Sequence, residues 1–192
     1  MKSPRFKSLS KTRISSKVDN GALGSKIAVR LAMLEALAVP PIVLDVFCGS
    51  GTIKDAVYPD CEYLGLDQKQ FGDSRATIVC DNERFLRNER LDLARFNVLD
   101  LDAYGSAGYQ LAIICKRLWP LKQKTGMAFT DGQGFASRVN SMSGGLLSYL
   151  ELKRVRGSTW QKDERENILR MLIKKTAADA HASVTNLTVA RK

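Results

Sequence analysis

Residues 43–52 read VLDVFCGSGT, an apolar run that reaches a carboxylate at Asp45, an aromatic at Phe47, and glycines at Gly49 and Gly51. A short apolar run bounded by turn residues predicts a buried strand, here residues 42–47. Thr52–Val57 then predicts a helix that Pro59 cuts short. A glycine between strand and helix bends the chain tightly and lets a ligand approach the backbone without meeting a Cβ. The helix start offers unpaired N–H groups to an anionic group. The dinucleotide fingerprint G-x-G-x-x-G would place a third glycine at position 54, where this chain has Lys54. A nicotinamide or flavin cofactor is therefore disfavoured.

Outward from that stretch, strand and helix signals alternate. Upstream, residues 24–39 read as a helix with Ile27, Leu31, Leu34 and Leu37 near helical spacing, stopped by Pro40 and Pro41. Downstream, strands are predicted at 63–66, 76–80, 96–101 and 127–130, and helices at 82–88 and 109–118. A helical region at 135–150, a helix at 159–180 capped by Ser158, and a last strand at 183–189 complete the chain. In the long helix, Trp160, Ile168, Met171 and Leu172 read as one core-facing side. Alternation of this kind predicts an α/β fold with a mostly parallel sheet covered on both faces. Asp45, Asp67, Asp81, Asp102 and Asp131 all fall at or near strand C-termini. In a parallel sheet those ends share one edge, where ligands bind. Any one of these carboxylates would be unremarkable as a helix cap or a group reaching water; five on one edge point to a site.

The composition bounds the rest. The chain has 192 residues, 44% of them hydrophobic, which suits one domain. A basic arm, residues 1–20, precedes the domain at 21–192; Lys2, Arg5, Lys7, Lys11, Arg13 and Lys17 lie in it without an acid before Asp19. The formal charge of +10 points to a polyanionic partner. Further basic clusters lie at Lys116, Arg117, Lys122 and Lys124, and at Lys153, Arg154 and Arg156. They suit a phosphate backbone, although each alone would also suit a solvated face. Cys48, Cys61, Cys80 and Cys115 form no C-x-x-C pair, and His181 is the single histidine, so no metal site is expected. The cysteines read as free thiols of a reducing compartment. No apolar run follows the N-terminus, so no secretory signal is expected and the protein is expected to be cytoplasmic. No repeat or heptad sets an oligomeric state.

The segments VLDVFCGSGT, YLGLDQKQ (63–70), IVCDNERFL (78–86) and FNVLDLDAYGSA (96–107) resemble motifs I to IV of class I S-adenosylmethionine-dependent methyltransferases. The resemblance covers about residues 24–135. DLDAYGSA is similar to the D-L-D-P-[FY]-G-S-P segment of the tRNA guanine-26 N2-dimethyltransferase family, with Ala103 and Ala107 where that segment has prolines. The resemblance implies a three-layer Rossmann-like methyltransferase fold, here with one strand after the fifth where the full fold has two. It places Asp45 and Gly49, Ser50 and Gly51 under the methionine part of S-adenosylmethionine, Asp67 on the ribose and Asp81 near the adenine amine. Phe47, Gln68 and Asp100 belong to the same expected cofactor set. Asp102 and Tyr104 would face the target base as the catalytic pair.

The implied chemistry is consistent with those residue types. One carboxylate accepts hydrogen bonds from two ribose hydroxyls. A carboxylate beside an exocyclic amine orients the nitrogen lone pair and helps take the departing proton. An aromatic ring stacks on a base turned out of its helix. The expectation is therefore an S-adenosylmethionine-dependent methyltransferase acting on a base nitrogen of RNA, tRNA among the candidates. Two alternatives stand beside it. One is a DNA base methyltransferase, ranked lower because [DNS]-P-P-[YFW] and a Pro-Cys nucleophile are absent. The other is a cofactor-binding module for nucleic acid or protein that performs no transfer.

Overall fold

The structure, a computed structural model, describes residues 22–103, 107–118, 123–130, 144–152 and 162–187. The elements run α1 (Leu23–Leu37), β1 (Ile42–Asp45), α2 (Thr52–Val57), β2 (Glu62–Asp67), β3 (Thr77–Val79), α3 (Asn82–Leu86), a 3-10 turn (Leu93–Arg95), β4 (Val98–Leu101), α4 (Gly108–Arg117), β5 (Gly126–Phe129), α5 (Gly144–Tyr149) and α6 (Lys162–Asp179). The five strands form one all-parallel sheet in the order β3-β2-β1-β4-β5. Helices flank it, as the α/β expectation required, and the architecture is consistent with a Rossmann-like fold.

The register explains how the sheet sorts its side chains. Val43 pairs with Val98, Leu44 with Leu99 and Asp45 with Asp100. Side chains alternate between faces along a strand. Val43 and Val98 accordingly pack with Leu37, Val57 and Tyr58 under α1 and α2. Leu44, Leu99 and Leu101 enter the larger cluster with Leu86, Leu111, Ile114, Leu146, Ile168 and Leu172 of α3 to α6. The same parity sends Asp45, Asp100 and Asp102 towards the α1–α2 face. Gly126 lets α1 approach β5, because a Cβ there would lie 2.9 Å from Met33 Cγ.

Three expectations need correction. Residues 183–187 form no strand, and 188–189 lie outside the described residues. Of the apolar positions expected on α1, Ile27, Leu34 and Leu37 pack into the core, but Leu31 is 49% exposed, whereas Arg30 is buried. The reason is that Arg30 finds a buried carboxylate on the sheet, which outweighs the apolar preference of the face. In α6, Ile168 and Leu172 are buried but Met171 faces outward. Trp160 and Ser158 lie outside the described residues, as do residues 1–21 and 135–143.

Candidate ligand site at the C-terminal edge

The glycine turn is held from several sides. Cys48 N–H bonds to Leu66 O at 3.0 Å, and Gly51 N–H closes the turn on Cys48 O at 3.1 Å. Gly49 and Gly51 have φ of 47° and 86°, in the left-handed region where a Cβ is strained. The two glycines face different surroundings. Among the described residues, the nearest atom to a Cβ on Gly49 would be Phe47 O at 3.9 Å, so no described neighbour crowds that side. A Cβ on Gly51 would sit 2.7 Å from Arg75 Cζ.

Asp67 reaches this turn from the end of β2. Its Oδ2 accepts Gly49 N–H at 3.1 Å and its Oδ1 accepts Lys69 N–H at 2.8 Å. The half-buried carboxylate keeps lone pairs for further donors. Gln68 is exposed beside it, and Ser50 is exposed with its hydroxyl 3.3 Å from that of Thr52. Phe47 is half-buried against the larger core. Asp81 caps α3, its Oδ1 accepting Arg84 N–H at 2.8 Å, and is exposed. That is the plain structural role open to any strand-end aspartate.

Between β1 and β4 lies a buried polar network. Asp100 has no exposed surface. Arg30 of α1 grips it with Nε and Nη2, each at 2.6 Å, and Tyr58 donates its hydroxyl to Oδ2 at 2.8 Å. Asp45 accepts the Tyr63 hydroxyl at 2.8 Å and Phe47 N–H at 3.1 Å. Burial, and then the neighbouring charge of Asp100, push the Asp45 carboxyl up to about 7. Burial also raises the Tyr58 and Tyr63 hydroxyls, seconded by the carboxylates they bind. For Arg30, burial alone would weaken the charge, but the bonds to Asp100 outweigh it and the net direction is up.

Asp102 stands at the mouth of this network. Lys26 Nζ lies 2.7 Å from its Oδ1 and 3.0 Å from its Oδ2, and Arg30 Nη2 lies 3.8 Å from Oδ2. Lys26 is 29% exposed and Asp102 is 13% exposed, so the pair sits at the surface of the crevice. Tyr104, the other half of the expected catalytic pair, lies outside the described residues, as do Gly105, Ser106 and Asp131. Ala103 and Ala107, on either side of that gap, are buried.

The structure thus brings Asp45, Asp100 and Asp102 together on one face, and brings Asp67 to Gly49. Among the described residues it gives Asp100 and Asp45 internal partners, and leaves Asp67 and Gly49 partly exposed. Lys26, Arg30, Tyr58, Tyr63 and Arg75 were missed by sequence reasoning. A signal existed for two of them: Lys26 and Arg30 are spaced i, i+4 in the helix, so they share a face. Nothing in the sequence tied the tyrosines to carboxylates.

Other chemistries find less support. Burial, with the charge of Asp45 next, pushes the Cys48 thiol up to about 11, which disfavours the thiolate a nucleophile requires. All four cysteines are free, and no group of three or more metal-ligating side chains occurs among the described residues. No described helix is long and apolar enough to cross a membrane. Of the basic clusters, Arg117 donates to the carbonyls of Leu86 and Leu91, and Lys124 to that of Ala36. Lys116 is exposed over the Tyr149 ring, while Lys122, Lys153, Arg154 and Arg156 lie outside the described residues. No protein family, curated protein or solved structure matches this chain.

Proposed function

We propose that this protein binds S-adenosylmethionine along the C-terminal edge of its sheet and transfers the methyl group to a base nitrogen of RNA. One observation carries the reading. β1 and β4 are neighbours at the point where strand order reverses, the crevice position at which open α/β sheets take nucleotides. β1 delivers a glycine turn that no described neighbour crowds at Gly49, β2 delivers Asp67 to that turn, and β4 delivers Asp102 to the rim. Asp67 supplies acceptors for a ribose. The backbone at Gly49 admits the methionine arm, and the sulfonium that gives up the methyl group leaves as the thioether of S-adenosylhomocysteine. Asp102 receives the N–H of the methyl acceptor, and methyl transfer, an in-line displacement, draws on that alignment. The formal charge of +10 supports a nucleic acid as the acceptor's carrier.

A second reading has its own support. The Lys26 ammonium already donates to Asp102 Oδ2 and lies 2.7 Å from Oδ1. An acceptor amine must displace it, and a protein that never exchanges that partner would bind the cofactor without transferring from it. Calorimetry with S-adenosylmethionine and S-adenosylhomocysteine, followed by a labelled-methyl screen over total RNA and DNA, separates the cases. Micromolar binding, about 8 kcal/mol, with transfer abolished by RNase is the expected result. Transfer abolished only by DNase moves the substrate to DNA. Binding without transfer leaves the module, and no binding removes the cofactor reading.

A further inference from the structure

The connection between β2 and β3 is a loop rather than a helix, and it carries Arg75 back onto the glycine turn. Arg75 Nη1 donates to Cys48 O at 3.2 Å, and Nη2 donates to Gly49 O at 2.9 Å. Nη2 also pairs with Asp73 Oδ2 at 2.6 Å, and the guanidinium faces the Phe71 ring at 5.7 Å. The Arg75 side chain is only 7% exposed although it belongs to a surface loop. Its seat is the space left by the missing side chain of Gly51.

We infer that Arg75 is a positioning residue that fixes the glycine turn in its ligand-receiving shape without touching the ligand. The Gly49 residue is then held at both ends: Asp67 accepts its N–H and Arg75 binds its carbonyl. The glycines on either side of Ser50 give this turn more backbone freedom to lose than other residues would. A planar guanidinium bridging two successive carbonyls removes that freedom before a ligand arrives, which is the general route by which preorganisation raises affinity. The two glycines therefore have separate reasons to be glycine. Gly49 keeps the ligand side clear, and Gly51 makes room for Arg75. A lysine in place of Arg75 offers its donors from a single nitrogen and lacks the planar fork whose two nitrogens here reach the two carbonyls and Asp73.

The ligand half of the test rests on the nucleoside-cofactor reading; the other half does not. Hydrogen exchange on the full chain, wild type against Arg75→Ala and Arg75→Lys, reads the turn directly. The amides of Gly49 and Gly51 should exchange about tenfold faster or more in both variants, while those of β1 and β4 keep their protection. S-adenosylhomocysteine affinity should fall about tenfold in Arg75→Ala, and millimolar ethylguanidinium should restore both affinity and protection. Rescue of that kind is not expected of a merely destabilised fold. Unchanged exchange at Gly49 and Gly51, or tighter binding by Arg75→Ala, overturns the positioning role. Failure of the wild type to bind S-adenosylhomocysteine removes the cofactor reading alone, because the exchange result still decides the role of Arg75.

Discussion

Replacing Arg30 by methionine tests the network under the site most directly. Arg30 is 2% exposed and Asp100 is fully buried, so neither charge has solvent to fall back on. The change removes both guanidinium bonds and leaves the Asp100 carboxylate, among the described residues, with the bond from Tyr58. Breaking a buried pair by removing one partner costs about 3–5 kcal/mol, because an uncompensated charge stays inside. Against a total stability of about 5–15 kcal/mol that is a large fraction. For a chain of this length, each kcal/mol lowers the melting temperature by about 2–4 °C, so a fall of about 10 °C is expected. Asp100→Asn alone should cost a similar amount by stranding Arg30. The double variant Arg30→Met/Asp100→Asn should lose less than the sum of the two single changes by at least about 2 kcal/mol, since neither charge is left. Urea unfolding of the four proteins gives the cycle. Single-variant losses under about 1 kcal/mol that simply add would refute the claim that this pair is sealed from water.

Other outcomes follow from the same geometry. Lys26→Met, which removes a partly exposed partner of Asp102, should change stability by less than about 1 kcal/mol in the same urea assay; a loss as large as that of Arg30→Met would mean the rim pair is buried after all. Asp45 binds its proton more tightly folded than unfolded. Stability should therefore fall as pH rises from about 4 to about 7, by at most about 1.4 kcal/mol per pH unit, and level off above that. Asp45→Asn should flatten this slope, and an unchanged slope would contradict the assignment. Asn97→Ala should cost about 1–3 kcal/mol by thermal melting. Its side chain accepts Ile42 N–H at 2.7 Å and donates to Pro40 O at 2.9 Å, and both groups would lose their partner. Asp102→Ala should abolish methyl transfer while S-adenosylhomocysteine affinity stays within about threefold; transfer at the parent rate would remove Asp102 from the chemistry.

The backbone plan was legible because its signals are local. VLDVFCGSGT announces a strand, a carboxylate and a turn within ten positions, and neither needs a distant partner to be recognised. The helix Thr52–Val57 falls between the glycine turn and Pro59, as the sequence places it. The spacing of Asp100 and Asp102 fixes both on one face of β4, whatever that face meets. Residues 183–187 misled because Val184 and Leu187 have the composition of a strand, and composition does not supply a neighbouring edge to pair with.

What the tertiary structure alone decided is which charged groups meet. Arg30 and Asp100 are 70 positions apart, Lys26 and Asp102 76 apart. Their pairing depends on α1 packing on β5, next to β4, so that its side chains reach the β4 carboxylates, which no local pattern encodes. The same holds for Arg75, whose seat exists only because the β2–β3 loop folds back on Gly51. Hydrophobic periodicity is a property of one segment, and the sequence carries it openly. The position of a buried charge depends on a counter-charge delivered by another segment, because burial without one is so unfavourable that the packing of two elements must arrange for both.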